Sequence, residues 1–171
     1  SINSSYLHTI FNNHELNIID TPGYMDFIGE TISAVRVADG AVIVVDAVNG
    51  VEVGTEDAWQ RLNKSNLPRI IFINKTEKEG ANLDDTITAI QNQLSKSAVV
   101  IDLESSDLID AVAETDDALL EKYLETGSLS PEEVKGALRK SVQEAKVFPI
   151  VLGSALTDKG VDELLNTVIN Y

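Results

Sequence analysis

Three short polar clusters each follow an apolar run, and their residue types suit phosphate and purine chemistry. The first is Asp20-Thr-Pro-Gly-Tyr-Met-Asp-Phe27, preceded by Leu16-Asn17-Ile18-Ile19 and followed by an amphipathic stretch. That order predicts a strand ending in an acid, a tight turn through Pro22-Gly23 and then a helix. A carboxylate at the end of a buried strand can hold Mg²⁺ through water, and a glycine just beyond it lets a backbone N–H approach a phosphate. Asp20, Thr21, Pro22 and Gly23 therefore have the make-up of a switch that senses a terminal phosphate. For Asp-x-x-Gly alone, an N-capped corner between strand and helix is the better reading; the full eight residues favour the switch.

The second cluster is Asn74-Lys75-Thr76-Glu77 and the third is Gly153-Ser154-Ala155-Leu156. A carboxylate at Glu77 can accept from the N1–H and exocyclic amine of guanine. Lys75 can lay its aliphatic stem along the base while Asn74 ties neighbouring loops together. Backbone N–H groups around Ser154 and Ala155 can bind the guanine carbonyl oxygen. Each cluster alone is ordinary loop chemistry; three in this order, each at a strand end, point to one nucleotide site.

The elements that must position these clusters alternate. Tyr6 to Phe11 and Glu15 to Asp20 are expected as two strands joined by Asn12-Asn13-His14. A helix over 26–38 puts Phe27, Thr31, Ala34, Val35 and Ala38 on one face. Ala41 to Asp46 is a continuous β-branched run, which predicts a parallel-sheet strand covered by helices on both sides. A helix near Thr55 to Lys64 turns Trp59 and Leu62 inward, and Arg69 to Asn74 is a second such strand. Another helix, Leu83 to Ser95, takes Asn82 as its N-cap. Ala98 to Leu103 is expected as a strand. Helices follow near Asp107 to Ala113 and Asp116 to Leu124, the second ended by Gly127. Ser130-Pro-Glu-Glu133 reads as a capping box opening a further helix. Val147 to Leu152 is the last strand, and Val161, Leu164, Leu165, Val168 and Ile169 mark the closing helix. Alternation of this kind gives an α/β sheet whose ligands gather at the carboxyl ends of the strands.

Composition narrows the function classes. At 171 residues and 43% hydrophobic, the chain suits one well-buried core. Its longest apolar run, Ala41 to Val45, is far too short to span a membrane. It has no cysteine, so disulfides and thiolate zinc sites are excluded. A net charge of −15 argues against a broad nucleic-acid footprint. Lys135, Arg139, Lys140 and Lys146 are read as a solvated helix face. His8 and His14 are expected to be exposed around the hairpin. No signal peptide is visible, so a cytoplasmic fragment is expected.

The segments Asn17 to Phe27, Val37 to Ala47, Pro68 to Lys75, Asp116 to Leu124 and Gly153 to Ala155 resemble the GTP-binding domain of translation elongation factor G and its relatives. Those relatives include the class-II release factor and the ribosomal protection proteins. The resemblance spans nearly all of residues 1–171. It implies a three-layer α/β fold, P-loop NTPase-like, with a mostly parallel sheet and a short helical insert over about 82–146. It further implies a GTPase that docks on the ribosome, with GTP or GDP and Mg²⁺ as ligands. Asp20 would hold Mg²⁺ through water, Ser1 falls where a Mg²⁺-ligating Thr stands, and Gly23 would sense the γ-phosphate. Asn74, Lys75 and Glu77 would read guanine, with Ser154, Ala155 and Leu156 completing the pocket.

Four departures from the family bear on activity. No Gly-x-x-x-x-Gly-Lys-Ser/Thr loop occurs in the 171 residues, so the P-loop and its strand are expected upstream, in a longer parent. These residues alone are expected neither to bind GTP tightly nor to hydrolyse it. Loss of a central strand would leave unpaired backbone and apolar surface. Tyr24 stands where most of the family has the His that positions the attacking water. With a pKa of about 10, a phenol orients water rather than deprotonating it at neutral pH. Glu77 replaces the usual Asp, and the insert is shortened. The sequence thus supports a ribosomal GTPase as the intact parent. Its alternative is a non-hydrolysing ribosome-binding module on the same fold.

Overall fold

The computed structural model describes residues 2–171, with Met25 as backbone only. Ser1, the expected second Mg²⁺ ligand, lies outside the described residues. The strands form two sheets rather than one. β1 (Ser5–Phe11) and β2 (His14–Asp20) make an antiparallel hairpin. The second sheet is fully parallel, with order β3 (Ala41–Asp46), β4 (Arg69–Asn74), β6 (Phe148–Leu152), β5 (Ala98–Val100). The hairpin link is two residues, Asn12 and Asn13, both at positive φ. Asparagine tolerates that conformation, and a two-residue turn of this hand matches the strand twist. His14 therefore starts the second strand instead of ending the loop.

Helices cover the parallel sheet unevenly. On one face, Ile43, Val45, Ile71 and Ile73 pack against Trp59 and Leu62 of α2 (Val53–Ser65) and Ile90 of α3 (Leu83–Gln93), with Val35 of α1 (Ile28–Val35) at the margin. On the other face, Ile70, Phe72 and Val151 meet Leu164 of α7 (Val161–Asn170). α4 (Ser106–Ala113), α5 (Asp117–Thr126) and α6 (Pro131–Gln143) build a second core around Leu108, Val112, Val134 and Leu138, joined to β5 through Val99.

Coverage stops at β3. Val42 and Val44 stand opposite Ile70 and Phe72 in register, on the same face, yet are 41% and 58% exposed. The expectation that this run is covered on both sides fails there: α2 packs against Ile43 and Val45 on one face of this edge strand, and no described helix covers the Val42 and Val44 face. The hairpin is tied to two helices by its ends. Ser4 N–H donates to Glu30 of α1 at 2.9 Å, and Asn12 at the tip donates to Asn166 of α7 at 2.9 Å. Tyr6, Leu7 and Ile10 remain exposed.

Local signals placed three helix ends. Asn82 accepts from Asp85 N–H, Gly127 closes α5 at φ +71°, and Ser130 and Glu133 form both halves of a capping box. The helix expected from residue 26 instead opens with a 3-10 turn over Met25–Phe27, and β5 is three residues long rather than six. No described helix is long and apolar enough to cross a membrane.

Arg69 opens β4 as a buried cation. Its guanidinium lies 4.5 Å from the Trp59 ring centroid and 4.9 Å from that of Phe148. It donates to the carbonyls of Leu67 and Trp59 and to Asn63 Oδ1. Burial pushes its pKa down to about 10, which leaves it charged at neutral pH. Arg69→Ala would strip donors from buried oxygens and leave a void between two rings, at an expected cost of about 3 kcal/mol, read from urea unfolding. A second outcome concerns Glu133, whose carboxyl is pulled down to about 2 by the hydrogen bond from Lys122, then by the Ser130 N–H and hydroxyl. A depressed carboxyl stabilises fully above its ordinary value of 4.5 and loses that contribution as pH falls through its folded value. The stability gap between wild type and Glu133→Gln should therefore be constant above pH 4.5 and close towards pH 2.

Candidate nucleotide site

The carboxyl ends of β3, β4 and β6 lie at one rim because the three strands are parallel and adjacent. Asn74 is the last residue of β4, and its side chain does most of the joining. Asn74 Oδ1 accepts from Lys75 N–H at 2.8 Å and from Ala155 N–H at 2.9 Å, so the loop after β4 is bonded to the loop after β6. The Asn74 carbonyl accepts from Ala47 N–H at 2.9 Å, which brings in the loop after β3. Thr76 N–H adds a bond to the Gly153 carbonyl at 3.2 Å.

The loop after β6 is a closed ring. Ser154 N–H donates to the Lys159 carbonyl at 2.8 Å and Lys159 N–H returns a bond to Ser154 at 3.1 Å. Two glycines make that closure possible. A Cβ on Gly153 would strike the Lys159 carbonyl and the Phe72 ring, and Gly160 sits at φ +75° against the Leu152 carbonyl. Gly153 belongs to the third polar cluster of the sequence, whereas Gly160 lies outside all three. Its signal was available, since a glycine directly before a helix with no capping side chain usually serves a backbone need.

Ser154 is buried, and its hydroxyl holds the Glu77 carboxyl below the usual carboxylate range, helped by the Glu77 backbone. Asn74, Lys75, Glu77, Ser154 and Ala155 are thus one connected group, while Leu156 is 84% exposed at its margin. The N–H groups of Ser154 and Ala155, expected to meet a guanine carbonyl, are both donated inside the protein. A base oxygen would share Ala155 N–H with Asn74.

The cluster after β2 stands apart. Asp20 and Gly23 are exposed, Thr21 is half-buried and Pro22 is buried. The Gly23 carbonyl lies beside Gly54, in the first turn of α2. Tyr24 is 71% exposed and its carbonyl accepts from Phe27 N–H. No hydrogen bond joins Asp20–Gly23 to the Asn74 group among the described residues. Nor do they contain a cluster of three or more His, Cys, Asp or Glu placed to hold a metal. A nucleotide-bound Mg²⁺ needs only one or two carboxylates beside phosphates and water, so a lone Asp20 fits that donor set. His8 pairs with Glu15 at 3.0 Å.

Asn74→Ala should leave the Lys75 and Ala155 N–H groups without their acceptor. Destabilisation of about 2 kcal/mol is expected, with faster hydrogen exchange at those two amides than at Ser154, whose partner is Lys159.

All 171 residues, 1–171, match the family model described as the elongation factor Tu GTP binding domain. A crystal structure of a Thermus thermophilus protein superposes with a TM-score of 0.87 at 26% identity, covering 99% of this chain and 32% of that one. Translation elongation factor SelB from Methanococcus maripaludis, solved with the GTP analogue GppNHp, superposes with a TM-score of 0.61. Its 23% identity, over 99% of this chain and 28% of that one, speaks for the fold alone. The chain spans about a third of the length of these structures. Over its whole length, the chain belongs to the elongation factor Tu GTP-binding domain family, the nucleotide domain of translation-factor GTPases.

Proposed function

We propose that this chain is the guanine-reading and switch portion of a GTPase that acts on the ribosome, in elongation, translocation or a related rescue step. The observation that carries this reading is the Asn74 side chain, which bonds the loop after β4 to the loop after β6 beside Glu77 and Ser154. Glu77 accepts from the N1–H and amine of guanine, Lys75 lies along the base, and Ser154, Ala155 and Leu156 close the pocket. Ionisation of Glu77 is favoured by Ser154, and a carboxylate there accepts hydrogen bonds that adenine cannot offer.

The phosphate end uses Asp20, Thr21, Pro22 and Gly23. Mg²⁺, when bound, would neutralise charge on the phosphate oxygens; Asp20, through water, and Ser1 are the residues that would hold it. Gly23 contributes its N–H to the γ-phosphate. Tyr24 orients the attacking water by hydrogen bonding, and its exposure leaves it free to be placed by a ribosomal contact. Hydrolysis of this kind rests on positioning and electrostatics, so a neutral phenol can serve. A phosphate loop and its strand, from elsewhere in the parent chain, complete the sheet. The bare edge of β3, with Val42 and Val44 uncovered and the hairpin held in a separate sheet, supports that reading. Without that strand these 171 residues bind nucleotide poorly and hydrolyse none. The helices within residues 82–146 form the insert, and the protein works in the cytoplasm.

The test is nucleotide binding and ribosome-stimulated turnover by the full-length chain. GTP and GDP should bind and ATP should not. Tyr24→Phe should lower the stimulated rate by at least about tenfold while leaving GDP affinity unchanged. Ribosome association without guanine-nucleotide affinity would favour the non-hydrolysing module instead.

A further inference from the structure

Asp46, which in the sequence only ends an apolar strand, has a second part to play. It stands in register beside Asn74, at the carboxyl end of β3. Both of its carboxylate oxygens are engaged. Oδ1 accepts from Val48 N–H at 2.8 Å and Asn49 N–H at 3.4 Å, which orders the turn after β3. Oδ2 accepts from Lys75 Nζ at 2.5 Å. The Asp46 side chain is only 13% exposed and that of Lys75 is 41% exposed, so the pair is partly withdrawn from solvent. Charge-assisted hydrogen bonds in such a setting hold geometry better than fully exposed ion pairs.

Lys75 itself sits at φ +65°, a conformation lysine rarely adopts. Non-glycine residues persist there when their surroundings over-determine them, and such residues gather at ligand clamps. Three bonds do so here. Asn74 Oδ1 takes the Lys75 N–H, Lys78 N–H donates to the Lys75 carbonyl, and Asp46 takes the ammonium. With the backbone fixed at one end and Nζ at the other, the four-carbon stem between them has few rotamers left. Glu52 and Glu77 also raise the Lys75 pKa through their charge, but less than Asp46 does.

We propose that Asp46 is a positioning residue for base recognition, clamping the Lys75 ammonium so that the lysine stem forms a fixed apolar shelf for the purine ring. The proposal rests on the guanine reading of Lys75 given above. Asp46 touches no nucleotide; it acts through Lys75, by removing the rotamer freedom that binding would otherwise have to remove. Its carboxylate also answers the ammonium charge at the base end, where a neutral ring is to be seated.

The experiment measures GDP affinity of the full-length protein, wild type and variants, with thermal unfolding as the check on folding. Asp46→Asn should weaken GDP binding by about tenfold. Lys75→Met keeps an apolar stem but cannot be clamped, and it should lose affinity to a similar extent. Combining the two should cost no more than either alone, because both remove one clamp. A generally structural Asp46 would instead give additive losses. Unchanged affinity in either single variant, or additive losses in the pair, overturns the clamp; Lys75→Met decides the matter if Asp46→Asn does not fold. Failure of the wild-type protein to bind GDP overturns the guanine reading itself, and the clamp with it.

Discussion

One side-chain oxygen holds the candidate site together. Asn74 Oδ1 takes two backbone N–H groups, its own neighbour's and that of Ala155, eighty-one residues further along the chain. Near that oxygen hydrophobic packing does little, since Lys75, Thr76, Ala155 and Leu156 are half-buried or exposed. Backbone bonds from Ala47 to Asn74 and from Thr76 to Gly153 then lock the rim. The asparagine amide suits this place because it ends a buried strand, where an acceptor with two lone pairs can serve two strands' loops at once.

Beneath the rim lies a sheet whose completeness differs from side to side. β4 is buried along almost its whole length, which matches its unbroken apolar sequence. β3 has a similar composition but only two buried residues, Ile43 and Val45, against five in β4. An exposed apolar edge strand is prone to pairing with other chains, and β3 combines such an edge with an uncovered face at Val42 and Val44. The helices α4 to α6 show the opposite arrangement, a self-contained core joined to the sheet only at its far edge. Nothing in that core bears directly on the rim, so changes there and changes at the nucleotide loops should be energetically separable.

Much of this was legible from residue order. Asn82, Gly127 and the Ser130–Glu133 pair announce helix ends through their own side chains or lack of one, so no tertiary knowledge was needed. The inward turn of Trp59 and Leu62 follows from helical spacing. What escaped depended on contacts distant in sequence. One face of β3 is left bare at Val42 and Val44, which a run of β-branched residues cannot reveal. Arg69 enters the sequence reading only as the first residue of an expected strand, and its cage of Trp59, Phe148 and three oxygens assembles only in the folded chain. Asp46 and Lys75 are twenty-nine residues apart and meet only because β3 and β4 pair in register. Gly160 differs, since its partners Leu152, Ser154 and Lys159 are close in sequence and a glycine directly before a helix is itself a signal.

Loops after β4 and β6, joined by Asn74, form the seat of a guanine ring: on that claim the rest depends. A crystal structure of the full-length protein with bound GDP tests it most directly. The base should lie along the Lys75 stem with its N1–H and amine on Glu77, and the bond from Ala155 N–H to Asn74 should be kept or shared. A base seated away from residues 74–77 and 153–156, with those loops unchanged, would contradict the account.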